Sequence, residues 1–303
     1  MYRVSVIIPN YNHSEYLPQR IESVLNQTFQ DFELIILDDC STDNSRNIIE
    51  QYREHPKVSK IVYNETNSGS AFKQWQKGIE LAKGEWIWIA ESDDWCENNL
   101  LENLICPVLS EKDIVLSFCG SVVFRENRIL YYSKGVYFNG IIDGKSFVSD
   151  RMMHANSIIN ASMAIFSKKV IEKLDPKYTI LKFCGDWLFW IYIAEQGKVY
   201  ESGKMLNYFR KHDKDVTGSA IINGLYHSEY LTIAKELKNK HYLSPKIYVR
   251  SLFNWMSGLK NDHRVNNIIK REIQKLYLSE IGYYNYFTLS LKKVIKKILR
   301  YQC

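Results

Sequence analysis

Short apolar runs alternate with helical patterns through the first ninety residues. Val4-Ser5-Val6-Ile7-Ile8-Pro9 reads as a strand that Pro9 closes, and Asn10-Tyr11-Asn12 follows as a polar turn. Ser14 is placed to cap a helix whose apolar positions Leu17, Ile21, Val24 and Leu25 share one face. Phe32 to Leu37 is a second apolar strand, with Ile48, Ile49 and Tyr52 on the inner side of the next helix. Val58 to Tyr63 is a third strand. From Ala71 a helix turns Trp75, Ile79 and Ala82 inward and ends near Gly84. Trp86 to Ala90 then forms a fourth run, apolar on both faces, as buried parallel strands are. Strands alternating with helices across short connections predict βαβ units and a parallel sheet.

The polar residues that break this pattern fall at strand ends. The first strand runs into Asn10-Tyr11-Asn12, the second into Asp38-Asp39-Cys40-Ser41-Thr42-Asp43, the fourth into Glu91-Ser92-Asp93-Asp94. Parallel strands share their carboxyl side, so all three ends lie on one sheet edge, where open α/β sheets bind ligands. Three carboxylates within four residues repel one another unless a cation neutralises them, and hard oxygen ligands suit Mg2+ or Mn2+. Taken alone, the stretch also reads as a solvated acidic turn, and Asp38-Asp39 as turn formers before a helix.

Beyond Trp95 the pattern loosens. Asp113 to Cys119 and Ser121 to Arg125 read as strands, with Ile129 to Tyr137 pairing against them. Residues 138–160 read as loop-rich, Ala161 to Phe166 as a strand and Ser167 to Leu174 as a short helix. Gly185-Asp186 opens a helix closed by Gly197; Val199 to Glu201 and Met205 to Arg210 are two more short strands, and Lys211 to Ser219 is a polar loop. From Ile221 the texture is helical, with Ser244-Pro245 a cap followed by proline at the first turn. The division is therefore residues 1–220, an α/β domain, and 221–303, a helical C-terminal region.

Composition narrows the class. A chain of 303 residues, 46% hydrophobic, affords a sizeable core. Cys40, Cys96, Cys106, Cys119, Cys184 and Cys303 include no C-x-x-C pair, which predicts reduced thiols in a cytoplasmic protein. A strand pattern begins within three residues of the start, so no signal peptide is expected, and no apolar run nears the ~20 residues of a spanning helix. The net charge of +6 is concentrated at the end, where residues 281–303 hold Lys292, Lys293, Lys296, Lys297 and Arg300 and no acid. The body is nearly neutral, which argues against a nucleic-acid surface and for a local contact made by the tail.

Taken together and in order, several segments resemble the family 2 glycosyltransferases with the GT-A fold. They are Ser5 to Asn12, Ser23 to Thr28, Glu33 to Asp43, Asn67-Ser68-Gly69, Ala82-Lys83-Gly84 and Glu91 to Asp94, within a match from about Val4 to Val216. The resemblance implies a Rossmann-like mixed sheet flanked by helices. It also implies an inverting transfer of a hexosyl or N-acetylhexosaminyl group from a nucleotide-diphosphate sugar, a UDP-sugar being the expected donor, to a hydroxyl of a saccharide or lipid-linked saccharide. The setting it suggests is surface polysaccharide assembly in the cytoplasm, at the inner face of the membrane.

Residue by residue, the resemblance implies nucleotide contacts from Pro9, Tyr11, Asn12, Asp38, Asp39, Ser41, Glu91 and Ser92. Tyr11 lies against the base, and Asp39, alone or with Asp38, accepts the uracil N3–H. Asp93 resembles the metal ligand of the D-x-D signature, with Mn2+ or Mg2+ bridging the phosphates, and Asp94 stands behind it. Glu91 replaces the usual first Asp. Gly185-Asp186-Trp187 resembles the acidic motif whose second residue is the general base; Gly185 replaces an acid, and Asp186 also reads as a helix N-cap. Trp187 and Trp190 serve either as a wall of the sugar site or as core. His212 resembles a late residue that reaches the metal or diphosphate, with Arg210 a second phosphate candidate, and His154, Asn156 and Asn160 fall on the acceptor side.

The resemblance does not cover the tail. Leu291, Val294, Ile295, Ile298 and Leu299 form an apolar face opposite Lys292, Lys293, Lys296, Lys297 and Arg300. Such a helix over 288–302 either rests on an anionic membrane surface or packs on neighbours with its lysines in water. The rival reading of the whole chain is a degenerate GT-A module that binds nucleotide without transferring sugar. A receiver-type phosphoacceptor fails because the third strand ends in Asn64, and a nucleotidyltransferase because no Gly-rich, Arg-containing loop follows the first strand.

Overall fold

The computed structural model describes residues 3–126, 128–134, 138–153, 155–212 and 220–300, of which 294–300 by backbone only. The expectations for His154, for 213–219 of the polar loop, for Tyr137 and for the side chains of Val294, Ile295, Lys296, Lys297, Ile298, Leu299 and Arg300 lie outside the described residues, as does Cys303.

Four parallel strands form one half of the sheet: β1 (Val4–Asn10), β2 (Phe32–Asp38), β3 (Val58–Tyr63) and β4 (Trp86–Ile89), in the order β3-β2-β1-β4. Every residue of β1, β2 and β4 is buried, because sheet and helices cover both faces. The connecting helices are α1 (Leu17–Leu25), α2 (Ser45–Glu50) and α3 (Ala71–Leu81). Gly84 packs β4 against β1: a Cβ there would lie 2.5 Å from the Ser5 nitrogen. The Ser5 hydroxyl accepts from the Gly84 N–H and donates to buried Glu33.

Pro9 does not close β1; the strand pairs through Asn10, opposite Asp38. The Ala90 N–H donates to the Ile7 carbonyl, so odd-numbered residues of β1 face β4. Pairing with β4 ends at Ile7–Ile89, so the N–H that Pro9 lacks would have met no strand. Ser14 does not cap α1 either. Tyr16 precedes the helix without a side-chain cap, and the Ser14 N–H donates to the Asp43 carboxylate at 2.8 Å.

The other half of the sheet is mixed. Antiparallel β9 (Ala164–Ser167) bridges β4 to β6 (Ile114–Arg125), which pairs in parallel with β10 (Lys198–Arg210). Short strands complete it: β5 (Trp95–Cys96) and β8 (Gly140–Asp143) on β10, and β7 (Arg128–Tyr132) on β6. The two strands expected around Gly120 are one; Ser117 and Ser121 are buried at 0% exposure, the Ser117 hydroxyl donating to the Leu104 carbonyl and the Ser121 N–H to the Ser133 hydroxyl. The two expected over 199–210 are also one, with register shifts on either side of Met205. The strand expected from Ala161 begins at Ala164, after a single 3-10 turn. Helices α4 (Leu100–Ser110), α5 (Gly144–Phe147) and α6 (Gly185–Ala194) belong to this half, and α6 buries nine of its ten residues.

The chain divides into two compact units, residues 1–180 with 185–212, and residues 181–184 with 213–303. The second is helical: α7 (Leu225–Asn239), α8 (Pro245–Asn261), α9 (Asn267–Ile281) and α10 (Tyr283–Arg300). Ser244 caps α8 as expected, accepting from the Ile247 N–H. None of the five described cysteines is in a disulfide; Cys96, Cys119 and Cys184 are buried and Cys106 is exposed.

Candidate active site

Registry sets the carboxyl ends of β1, β2 and β4 side by side, and the side chains beyond them form two groups. At the end of β2, Asp38 accepts from the Asn10 side chain at 2.8 Å and from the Ser41 N–H at 2.9 Å. The Ser41 hydroxyl accepts from the Asn12 N–H at 2.9 Å, and Asn12 accepts from the Thr42 N–H at 2.7 Å. Both turns need a left-handed residue, Asn12 at φ 56° and Cys40 at φ 63°. Asp39 accepts from Asn64 (2.6 Å), the Ser68 N–H (2.9 Å) and hydroxyl (2.7 Å), and Gln74 (2.9 Å). Asp39 therefore fixes the Asn67-Ser68-Gly69 turn over its own strand end. Tyr11 stands beside this group with 46% of its surface exposed.

At the end of β4 the acids crowd each other. Glu91 accepts from the Trp75 indole at 2.8 Å. Asp94, fully buried, accepts from the Ser162 hydroxyl at 2.7 Å and the Arg210 N–H at 3.0 Å, and lies 3.8 Å from the buried Arg20 guanidinium. Arg20 also donates to the Glu91 carbonyl at 2.9 Å. Between them the Asp93 carboxylate meets the His212 Nε2 at 3.1 Å. Ser92 turns the other way, its hydroxyl 2.8 Å from the His13 Nδ1.

The electrostatics follow from this crowding. Burial, then the charges of Asp93 and Asp94, push Glu91 up to about 8. Burial and the Asp93 charge push Asp94 up to about 7 despite Arg20. Burial works against the Asp93 charge too, but the His212 hydrogen bond and the two nearby imidazoles outweigh it and hold that carboxyl below its ordinary value. At neutral pH Asp93 is the acid of the three that carries its charge most fully. One donor atom each of His13, Asp93 and His212 lies within 4.8 Å of the others. Two imidazoles and a carboxylate are the donor chemistry of a divalent transition-metal site, so the residues present fit such an ion.

Arg210 does not point freely at a phosphate position. Its guanidinium donates to the Asp93 carbonyl and to Gln19, and it stacks 4.5 Å from the Tyr16 ring and 4.6 Å from Trp95.

Among the described residues Asp186 is held by other hydrogen bonds than those at the β4 end. It is the second residue of α6, past the N-cap position, where one oxygen accepts from the Trp187 N–H at 2.7 Å and the other from the Asn156 side chain at 2.9 Å. An aromatic path joins α6 to the β4 end: Gly185 lies against Phe72, Phe72 against Trp75, and Trp75 donates to Glu91. The glycine at 185 has a steric cause, since a Cβ there would sit 2.4 Å from the Tyr178 carbonyl and 2.5 Å from the Phe72 ring. Trp187 and Trp190 are core, not a wall of the site. They are 2% and 0% exposed, with the Trp187 indole on the Met152 carbonyl. Asn160 is buried and caps the turn at Ser162.

The sequence reading missed His13, Arg20 and Ser162. His13 directly follows the polar Asn10-Tyr11-Asn12 turn, and that position at a strand end is its signal in the sequence. Arg20 had none, because a cation on the inner face of an amphipathic helix contradicts its pattern.

The model of the family described as glycosyl transferase family 2 matches residues 5–175. Over 248 residues the chain is 28% identical to the poly(ribitol-phosphate) beta-N-acetylglucosaminyltransferase TarP of Staphylococcus aureus, covering 80% of this chain and 69% of that protein. Residues 1–349 of S. aureus TarS, solved in complex with UDP-GlcNAc, superpose with a TM-score of 0.60 at 20% identity, over 92% of this chain and 72% of that one. The mannosyltransferase PcManGT of Pyrobaculum calidifontis, solved with GDP-Man and Mn2+, superposes with a TM-score of 0.53 at 14% identity, over 94% of this chain and 88% of that one. These structural likenesses are likenesses of fold.

Proposed function

The chain belongs to glycosyl transferase family 2, and from that premise we propose that it transfers a sugar, with inversion, from a UDP-sugar to a hydroxyl of a saccharide or lipid-linked saccharide. The observation that carries the proposal is the convergence on one sheet edge of Tyr11, the Asp38–Asp39 turn and the acids of β4, with His212 reaching Asp93 from 119 positions away. Exposed Tyr11 offers a face to the base, and the turn around Asp38, Asn12 and Ser41, braced by Asp39, offers polar atoms to uracil and ribose. Pro9 and Ser92 shape the backbone beneath. Similarity to TarP and to a TarS structure holding UDP-GlcNAc supports an N-acetylhexosaminyl donor and an acceptor of cell-surface polymer type.

Asp93 and His212 would hold Mn2+ or Mg2+, which when bound neutralises charge growing on the departing diphosphate. Asp186 takes the proton of the acceptor hydroxyl, which attacks the anomeric carbon opposite the nucleotide, and Asn156 orients the carboxylate for that transfer. Asp94 with Arg20 and Ser162 holds the backbone around Asp93 fixed. In the metal-free protein Glu91 is mostly protonated at neutral pH and serves as a hydrogen-bonding group toward Trp75 more than as an anionic ligand.

Among the described residues no helix is long and apolar enough to cross a membrane. The reading for α10 is attachment to an anionic surface on the cytoplasmic side. Tyr283, Tyr284, Phe287 and Leu291 are exposed on it beside exposed Lys292 and Lys293.

Thermal melts with a panel of nucleotide-sugars, with and without Mn2+, test the reading. A donor at 100 times its Kd adds about 2.7 kcal/mol. Stabilisation by a UDP-sugar is expected; a panel in which no nucleotide raises the melting temperature sinks the assignment. The rival, a nucleotide-binding module without transfer, predicts the same stabilisation but no hydrolysis or transfer of the donor.

A further inference from the structure

The reading of the β4 end as a nucleotide-sugar site leaves His13 without a task, and the geometry gives it one. We infer that His13 is a third protein ligand of the divalent ion, and that the resulting pair of imidazoles with the Asp93 carboxylate makes this site discriminate against Mg2+.

Three observations converge. First, the donor atoms of His13, Asp93 and His212 lie within 4.8 Å of one another although they come from three separate segments: the loop after β1, the end of β4 and the residues after β10. Ligand atoms about 2.1 Å from a common ion are about 3 Å apart when adjacent and about 4.2 Å when opposite, so the cluster closes on an ion with shifts of no more than about an ångström per group.

Second, His13 has the kind of hydrogen-bond partner that ligating histidines have. Its Nδ1 is 2.8 Å from the hydroxyl of Ser92, a residue only 2% exposed and adjacent to Asp93. In the proposed site a proton on Nδ1 donated to that oxygen would fix the tautomer and make Nε2 the ligating atom. Ser92 thereby acquires a positioning role in place of direct contact with the nucleotide.

Third, the rings are held. The His13 and His212 rings meet edge to face at 5.5 Å between centroids, and Tyr16 stacks on His212 at 5.4 Å with its own face under the Arg210 guanidinium. A simple Asp93–His212 hydrogen bond needs none of this. It places a proton where ligation needs a lone pair, so the two states are exclusive and can be told apart.

The chemical consequence is selectivity. Mg2+ prefers an octahedron of oxygens and gives up water reluctantly, whereas imidazole favours first-row transition ions, with affinity rising from Mn2+ through Co2+. A site offering two nitrogens and one carboxylate therefore takes Mn2+ or Co2+ ahead of Mg2+.

Mn2+ electron paramagnetic resonance on the full chain, with UDP present, tests this without reference to turnover. The expected results are one bound Mn2+ per chain, not displaced by a hundredfold excess of Mg2+ but displaced by Co2+, and pulsed spectra with nitrogen couplings from two imidazoles. His13→Ala should weaken Mn2+ binding by at least tenfold and remove one coupling; Ser92→Ala should weaken it less and keep both. The nitrogen count is read on the unsubstituted protein, so it stands even if a variant folds poorly. A single imidazole coupling, or a His13→Ala protein that binds Mn2+ normally, overturns the inference. If Asp93→Asn still abolishes Mn2+ binding in that case, the nucleotide-sugar reading survives it. Ready displacement by Mg2+ overturns the selectivity.

Discussion

At the end of β2, Asp39 gathers hydrogen bonds from Asn64, Ser68 and Gln74, all neutral donors supplied by the protein itself. At the end of β4, Asp93 sits between two other acids and meets the protein through an imidazole, with 18% of its side chain exposed. The two strands are parallel, buried and end in adjacent carboxylates, so their difference lies in who answers the charge. Where neutral donors answer it, the carboxylate is part of the scaffold and holds a turn. Where like charges crowd it and the partners are titratable, the site is incomplete in electrostatic terms and has capacity left for a ligand. The first kind of acid should matter to stability, the second to chemistry.

The sharpest way to break that contrast is Asp93→Asn. Transfer should fall by a thousandfold or more, on the scale of losing a group that stabilises developing charge. The metal-free melting temperature should fall only slightly, since the His212 bond is lost but the charge that crowds Glu91 and Asp94 is lost with it. Kinetics with a saturating UDP-sugar, together with melts, decide it, and near-normal turnover would remove Asp93 from the mechanism. Next comes Asp186→Asn. A lost general base costs about a hundredfold to a thousandfold in kcat, while donor stabilisation in the melt should stay intact because Asp186 bonds within another group. A variant that loses donor binding as well would place Asp186 on the wrong side of the comparison.

Asp39→Asn should do the reverse. It turns an amide NH2 toward Ser68, Asn64 or Gln74, all donors, and leaves at least one buried donor unanswered. The cost is about 2–3 kcal/mol of unfolding free energy, read by denaturant melts without any ligand. A variant as stable as the parent would mean that the β2 acid is held for binding and not for structure.

These contrasts also mark where the sequence is readable. The parallel strands show because each is an unbroken apolar run, buried on both faces, and the shared edge follows from parallelism alone. The breaks expected in β6 and β10 are absent, and within β6 the Ser117 hydroxyl donates to the Leu104 carbonyl while the Ser121 hydroxyl accepts from the Asn207 side chain of β10. Burial of a hydrogen-bonded serine leaves no trace in a hydropathy pattern. The site was half legible. Asp38, Asp39 and Asp93 stand at strand ends where pattern points, but the meeting of Asp93 with His13 and His212 depends on a fold that spans 119 positions, and no local period encodes it. Arg20 was hidden for a related reason: its cation answers Asp94 and the Glu91 carbonyl, groups a whole sheet connection away. Gly185 looked like a departure from a motif and turns out to be a packing requirement.

The mildest test bears on Glu91, the acid that crowding neutralises. In the unfolded chain its carboxyl titrates near 4.3; in the folded one burial and two neighbouring acids bring it to about 8. Between those values the folded state holds the Glu91 proton more tightly than the unfolded one, so this group's contribution to metal-free stability falls as pH rises from about 5 to 8. Asp94, at about 7, adds a slope of the same sign over the lower part of that window. Glu91→Gln keeps the oxygen that accepts from the Trp75 indole and removes the proton that titrates. The variant should match the parent at pH 5 and exceed it at pH 8 by on the order of 1 kcal/mol, the shift being discounted for partial solvent access. Mn2+ should shrink the parent's slope, because its charge stabilises the ionised acids. Melts at three pH values, with and without Mn2+, read all of this. A Glu91→Gln protein that loses stability equally at every pH would show that the carboxylate is held by specific bonds, as Asp39 is, and the two strand ends would then differ less than their partners suggest.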